Sequence, residues 1–391
     1  MKEVVIVSAV RTPVGSYLGS LSSLKATELG AIVIKEAVKR AGIKPEDVSE
    51  VIMGCVLPAG LGQAPARQAA IYAGLPDSVP CLTINKVCGS GLKSVMLAEQ
   101  AIKCGDAEIV VAGGFESMSN VPYYLDKARS GYRMGNGTLI DGMVHDGLWD
   151  VYNNFHMGSA AEMCSKEMNI TKEEQDSFAE ESYNRALKAI ENGYFKDEII
   201  PVEIKDKKGS VIVSEDEDVK KVNFEKGKTL KGAFQKDGTV TAFNSSNLND
   251  GAAALVLMSA EKAKELGITP LAKIVAQGSF AQKPEWFTTS PAYAIKNVLK
   301  KAKLEVKDID LIEANEAFSV QACAVNKIAG LDSSKVNVNG GAVAIGHPIG
   351  GSGARILTTL LHAMKNRKAG RGIATLCIGG GEASAIIVER S

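Results

Sequence analysis

The sequence predicts an α/β fold made of two duplicated βαβ-rich halves, and three observations carry that prediction. Apolar runs of strand length alternate with segments of helical period. The pattern of the first third returns late in the chain at constant spacing. Residues 301–309 parallel 40–48, with Asp308 placed 308 − 47 = 261 positions after Asp47. Ser352-Gly353-Ala354-Arg355 likewise parallels Ser90-Gly91-Leu92-Lys93 at 352 − 90 = 262. Finally, the 39 glycines and only 5% aromatic residues suit tight strand–helix turns more than an aromatic-rich β-sandwich.

In chain order, 3–10 reads as a buried strand ended by Arg11-Thr12-Pro13. Residues 27–41 form an amphipathic helix, with Leu29, Ile32, Val33, Ala37 and Val38 on one face and Gly42 after it. Pro45-Glu46-Asp47-Val48 starts a short helical turn, and 51–56 is a strand. An extended run at 79–84 leads into Asn85-Lys86-Val87-Cys88-Gly89-Ser90-Gly91. A helix follows, with Leu92, Val95, Met96, Glu99 and Ile102 on its inner face, and stops at Lys103 and Gly105. A strand at 109–112 is expected to close on Gly113-Gly114. Strands alternating with helices imply a largely parallel sheet covered on both faces.

From 121 to 248 the character changes. Residues 131–149 are glycine-rich and irregular, Thr171 to Glu174 is a capping box opening a helix that runs to Asn192, and 205–231 reads as a solvated loop of mixed charge. This is an inserted subdomain. The expected units are 1–120 with 249–271, the insert 121–248, and 272–391.

The totals exclude several classes of function. With 391 residues, 45% of them hydrophobic, the chain can bury a large core. Formal charge is zero, 45 basic against 45 acidic residues, so no nucleic-acid partner is implied. Seven cysteines, an odd number without a Cys-x-x-Cys pair, suit a reducing compartment. No membrane-spanning, signal or transit segment is read, and cytoplasmic residence is the expectation.

Four pieces carry chemistry. Cys88 lies where a strand turns into a helix, and a helix N-terminus favours thiolate over thiol. The second repeat inserts Gly346-His347-Pro348 where the first carries Cys88, and imidazole can take a thiol proton. Cys377 ends an apolar strand on Gly379-Gly380-Gly381, whose bare N–H groups suit an oxyanion. Asn315, in Asn315-Glu316-Ala317-Phe318, follows a strand with an amide able to hold a water or a carbonyl. Each has a structural alternative: Cys88 and Cys377 as buried thiols, His347 as a turn former, Asn315 as a helix cap. His145, His156 and His362 read as structural. No close-spaced metal ligand set, P-loop or dinucleotide fingerprint is present. The residues alone leave an α/β enzyme with a cysteine nucleophile, directed at acyl transfer.

These motifs, together with His156-Met157-Gly158 and Gly346-His347-Pro348-Ile349-Gly350, resemble the thiolase family over essentially the whole chain, and within it the acetyl-CoA C-acetyltransferase branch. The resemblance implies a five-layer α-β-α-β-α sandwich with a loop domain inserted in the first half. It implies Cys88 as the nucleophile, His347 as its activator and Cys377 as second acid/base. One oxyanion site would use His347 and a water on Asn315, the other the backbone N–H groups of Cys88 and Gly379. Coenzyme A and acyl contacts would come from Leu148, His156, Met157, Phe234, Ala242, Ser246, Leu248, Phe287, Ala317 and Phe318, with Lys220 or Lys221 meeting a nucleotide phosphate. The implied partners are acetyl-CoA, acetoacetyl-CoA and CoA, with no nucleic acid and no membrane, in a homotetramer. No cofactor is implied, CoA being substrate and product.

Two segments depart from the bacterial pattern of the family. Phe243 and Asn247 stand where small residues are usual, and Trp286-Phe287-Thr288-Thr289-Ser290-Pro291 replaces a Met-Gly-rich stretch. The second is closer to the mitochondrial type, which accepts 2-methylacetoacetyl-CoA and holds potassium on a tyrosine and backbone carbonyls. The matching potassium positions are Tyr152, Ala242, Phe243, Ser245 and Val343. The alternatives to this reading are a thiolase of longer chain range and a non-catalytic thiolase-like binder of acyl-CoA or lipid. Retention of Cys88, His347 and Cys377 together argues against the binder.

Overall fold

The structure is a computed structural model that describes residues 2–206 and 209–390. The first half contains β1 (Val4–Arg11), α1 (Ala26–Ala41), β2 (Glu50–Gly54), α2 (Pro65–Tyr72), β3 (Cys81–Ile84), α3 (Ser90–Cys104) and β4 (Ile109–Ser117). The insert follows, with α4 (Met157–Met168) and α5 (Lys172–Glu191) as its main helices, and β5 (Asn249–Ser259) then returns to the first sheet. The second half contains β6 (Ala272–Ala281), α6 (Ser290–Ala302), β7 (Leu311–Ala314), α7 (Ser319–Ala329), α8 (Ser352–Arg367), β8 (Arg371–Ile378) and β9 (Glu382–Glu389).

Apolar faces stack these elements into five layers. Leu29, Val33 and Ala37 of α1 and Ala69 of α2 pack with Val51 and Val111 on one side of the first sheet. Leu92, Val95 and Ile102 of α3 and Ile356 and Leu360 of α8 fill the space between the two sheets, against Leu255 and Leu376. Ile295 and Val298 of α6 and Val325 of α7 cover the far side of the second sheet, against Ile373 and Ile387. The repeat is visible element by element. Pro45–Asp47 and Val306–Asp308 are both short 3-10 turns, and α3 and α8 start at the paired serines Ser90 and Ser352. The partner of β3 is reduced to one bridge between Ile312 and Val336.

The expectation of a largely parallel sheet is corrected. The strand path is β7-β8-β9-β6-β1-β5-β4-β2-β3. Only β2 with β3, β2 with β4, and β7 with β8 are parallel, the other neighbours being antiparallel. Connection length explains β8 and β9: the turn Gly379–Gly381 is too short for a crossover and can only fold the chain back antiparallel. The two sheets touch through β1 and β6 at Val5–Lys273 and Ile6–Ala272.

Two further expectations are corrected for local reasons. Strand β4 does not close on Gly113-Gly114 but runs through them to Ser117. A Cβ on Gly113 would stand 2.1 Å from Ala253 O, and one on Gly114 2.1 Å from Gly350 O, so these glycines allow close approach rather than a turn. The segment 205–231 is largely solvated as expected, but it is not all loop. It contributes to the hairpin Val202–Asp206 with Gly209–Val213, positions 207 and 208 lying outside the described residues. It also sends Asp216 into the core, where the buried Arg11 meets Asp216 Oδ1 at 2.6 Å and Glu198 Oε1 at 2.6 Å. The helix expected from the Thr171 capping box forms as α5, with Thr171 accepting from Glu174 N.

The middle layer fixes the position of the site. Helices α3 and α8 cross at their first turns with backbone against backbone. A Cβ on Gly353 would lie 2.2 Å from Leu92 N, and one on Gly91 2.8 Å from Ala354 N. The loops that precede both helices are thereby forced together. Gly353→Ala is expected to destabilise the fold by about 3 kcal/mol, the upper end for overpacking, because backbone rather than a flexible side chain must move. Denaturant unfolding of the purified variant measures this, and an unchanged midpoint would refute it.

Candidate active site

Cys88 sits in a turn held by its neighbours. Asn85 Oδ1 accepts from Val87 N at 2.9 Å, and Ser90 Oγ accepts from Lys86 N at 2.8 Å while donating to Val87 O at 2.7 Å. Val87 is driven to φ 45°, a costly conformation for a β-branched residue, and it directly precedes the cysteine. The backbone N–H groups of Gly379 and of Cys88 itself favour the Cys88 thiolate, yet burial pushes the thiol up to about 11. Desolvation thus opposes the thiolate that the helix start favours.

His347 is set by Gly346, at φ 111°, and by Asn249, whose Oδ1 accepts from His347 N at 2.9 Å. Its Nδ1 lies 2.6 Å from Ser352 Oγ, which is 2.9 Å from Pro348 O. With the serine proton given to that carbonyl, Ser352 accepts from Nδ1–H, and Nε2 is left as the bare nitrogen. Nε2 is buried and has no hydrogen-bond partner within the protein. Burial, with the Arg355 charge as a second cause, holds the imidazole down at about 3. The resting pair is thus neutral thiol and neutral imidazole. Behind the loop, the buried Glu116 carboxylate accepts from Gly350 N at 3.0 Å, Val56 N at 2.9 Å and Leu57 N at 3.2 Å, which ties the His347 loop to the first half.

Cys377 ends β8 fully buried, and its thiol is raised by burial and by the nearness of Cys88. Asn315 is fixed by its backbone N–H to Thr375 O at 2.9 Å, with Nδ2 3.4 Å from His347 Nδ1. With Nδ1–H committed to Ser352, that approach leaves the Asn315 amide N–H groups available to an acceptor.

A cavity of about 330 Å³ gathers these groups. Cys88, His347, Cys377 and Gly379 lie in its wall, and so do Leu148, His156, Met157, Phe234, Ala242, Ser246, Leu248, Phe287, Ala317 and Phe318. Phe234 stacks on His156 at 4.8 Å and meets Phe318 edge-on at 6.1 Å, and Phe318 meets Phe287 at 6.4 Å. His156 accepts from Gly158 N at its Nδ1, which caps α4 and leaves Nε2–H as a donor. His145 is exposed, and buried His362 bonds Ala9 O.

Other expected residues lie elsewhere. Asn315 stands behind the wall rather than in it. Lys220 and Lys221 do not line the cavity; they pair with Glu215 and Glu217. The five potassium positions do not form one set. Tyr152 is 73% exposed, while Phe243 and Val343 are in a buried cluster whose tyrosine is Tyr183, stacked on Phe243 at 5.9 Å. Ala242 and Ser245 line the cavity instead. Tyr152 therefore stands apart from the other four positions, which would serve the ion through backbone carbonyls, and no chemistry is routed through it. Among the described residues, no group of three or more His, Cys, Asp and Glu side chains is placed to hold a metal.

The sequence reading missed Met118, Met143, Val144 and Ile349 in the wall, and Ser352, Asn249 and Glu116 behind it. Met118, Met143 and Val144 carry no pattern in their irregular segments, whereas Ile349 lies inside the Gly346–Gly350 motif. Ser352 did carry one, as the repeat partner of Ser90, which braces the Cys88 turn.

Profiles of known families match both parts of the chain: "Thiolase, N-terminal domain" over residues 4–261 and "Thiolase, C-terminal domain" over 268–390. An acetyl-CoA acetyltransferase of Cupriavidus necator is 58% identical over 100% of both chains. One of Schizosaccharomyces pombe is 55% identical over 99% of both. The crystal structure of the Bacillus anthracis acetyl-CoA acetyltransferase superposes with a TM-score of 0.98 at 46% identity, covering 100% of this chain and 99% of that one.

Two outcomes are expected. ¹⁵N NMR of His347 should show protonated Nδ1 and bare Nε2, and Ser352→Ala should shift the tautomer balance by roughly the 1 kcal/mol of one hydrogen bond; an unchanged spectrum would remove Ser352 from this role. Thermal unfolding should show a higher midpoint in potassium than in sodium chloride if the carbonyl positions hold the ion, since a ligand bound only to the folded state raises the midpoint; coincident midpoints would remove the ion.

Proposed function

The chain belongs to the thiolase family, and we propose that it is an acetyl-CoA acetyltransferase that interconverts two acetyl-CoA with acetoacetyl-CoA and CoA through an acetyl-cysteine. The observation that carries this is the convergence of Cys88, bare His347 Nε2 and Cys377 on one cavity.

In the thiolysis direction, His347 Nε2 takes the Cys88 proton as sulfur attacks the C3 carbonyl of acetoacetyl-CoA. The bond between C2 and C3 breaks, Cys377 gives its proton to C2, and acetyl-CoA leaves. The enzyme then holds acetyl-Cys88, imidazolium and the Cys377 thiolate. Incoming CoA gives its thiol proton to Cys377 and attacks the acetyl carbonyl, and the departing Cys88 sulfur recovers its proton from His347. Atoms and protons balance, and the reverse sequence is the condensation. The N–H groups of Cys88 and Gly379 serve one oxyanion. His347 and a water on the Asn315 amide serve the other. A neutral resting pair suits this, because charge is created only when substrate has filled the cavity and excluded water.

Met157, Phe287, Ala317 and Phe318 pack with Cys377 in one buried cluster, which supports a short acyl end. We extend the reading to 2-methylacetoacetyl-CoA on the strength of the 286–291 segment. Leu148, Phe234, Ser246 and Leu248 supply walls for the pantetheine arm. A homotetramer is supported by exposed Tyr123, Leu125, Met134 and Leu139 on the insert, an apolar surface that suits contacts between copies. No helix among the described residues is long and apolar enough to cross a membrane. The seven free cysteines support the cytoplasm.

Cys88→Ala should lower both thiolysis and condensation by more than about 10³-fold, the scale of losing a nucleophile; substantial residual turnover would end the proposal. A thiolysis series should favour acetoacetyl-CoA over a long-chain 3-ketoacyl-CoA by at least about tenfold. Equal rates would point to the longer-range thiolase, and no turnover of 2-methylacetoacetyl-CoA would remove the branched substrate.

A further inference from the structure

We propose that Arg355, a residue of α8 with no place in the cavity wall, is a positioning residue that sets the Asn315 amide for the reaction. The inference rests on the thiolase reading and deepens it.

Arg355 is 2% exposed, and its Nη2 lies 3.3 Å from Asn315 Oδ1. A guanidinium can only donate, so the amide oxygen must face it, and the NH₂ must face the His347 side. The Asn315 backbone is already tied to the sheet through Thr375 O, so the side-chain torsion is the freedom that Arg355 removes. A rotated amide would present its oxygen toward the cavity side and repel a developing negative charge.

Stability alone does not account for this buried cation. Its acidic neighbour Glu313 is 3.8 Å away, one Glu313 oxygen has no hydrogen-bond partner within the protein, and neither Nε nor Nη1 of Arg355 has one. A buried pair so incompletely bonded is a poor source of stability. The duplicated half makes the same comparison internally. At the equivalent positions it has Lys93 (355 − 262 = 93), Ile52 (313 − 261 = 52) and Gly54 (315 − 261 = 54). That half builds the same helix-on-sheet joint with Ile52 where the second half has buried Glu313, so the architecture does not require the ion pair. Arginine, glutamate and asparagine appear together only where the imidazole is.

A double-mutant cycle on acetoacetyl-CoA thiolysis tests this. Arg355→Met should leave KM within about twofold and lower kcat roughly tenfold to a hundredfold, less than the loss of a whole oxyanion donor. Arg355→Lys, which retains charge and a donor, should recover part of the loss. Asn315→Ala combined with Arg355→Met should turn over within about twofold of Asn315→Ala alone. Losses that multiply, or an unchanged kcat in Arg355→Met, would overturn the proposal. If Arg355→Met does not fold, Glu313→Gln with Arg355→Gln removes both buried charges at similar volume and carries the same cycle. Absence of thiolysis in the unsubstituted protein would instead defeat the functional reading.

Discussion

The contact of backbone on backbone between the first turns of α3 and α8 is the constraint on which the rest depends. Gly91 and Gly353 leave no room for a β-carbon, so the loops entering the two helices have nowhere to go but beside each other. One loop carries Cys88 and the other His347. Everything apolar in the middle layer, from Leu92 to Leu360, presses the helices into that crossing. Glu116 completes the arrangement from the first half by taking the Gly350 N–H, so the imidazole loop is fastened to the half that owns the nucleophile.

Burial and electrostatics oppose each other at this crossing, and burial prevails. Two backbone N–H groups and a helix start all favour a Cys88 thiolate, yet desolvation pushes this half-buried thiol up to about 11. The same dryness keeps His347 neutral. A preformed ion pair would be costly in the free protein and exposed to stray electrophiles. The neutral pair becomes charged only when an acyl group arrives to share the cost.

Much of this was legible in the sequence, and the misses have physical causes. The repeat, the helix stops, the Thr171 capping box and the apolar faces are local patterns, and all appear as elements. Ten expected wall residues meet in one cavity because motif resemblance reads long-range geometry that periodicity cannot. Strand direction is not legible in the strands themselves, because it depends on the connections, such as the three-residue turn that folds β9 back on β8. Asp216 was misread because one inward-facing acid inside a mixed-charge stretch looks like its solvated neighbours. Lys220 and Lys221 pair with nearby acids at the surface, away from the cavity, and a charge run does not say which cations are so paired. Tyr152 was chosen by position when Tyr183 was the ring beside Phe243.

Ser90 and Ser352 occupy the same place in the two halves, and each braces the loop before its own helix. In one copy the hydroxyl holds a strained turn that presents sulfur; in the other it reads the protonation state of a ring. A single scaffold joint has thus diverged into two unlike halves of one chemical task. Such divergence ties the halves together over evolutionary time: neither copy can drift in sequence at this joint without its sister, and neither could be inherited alone as a working enzyme.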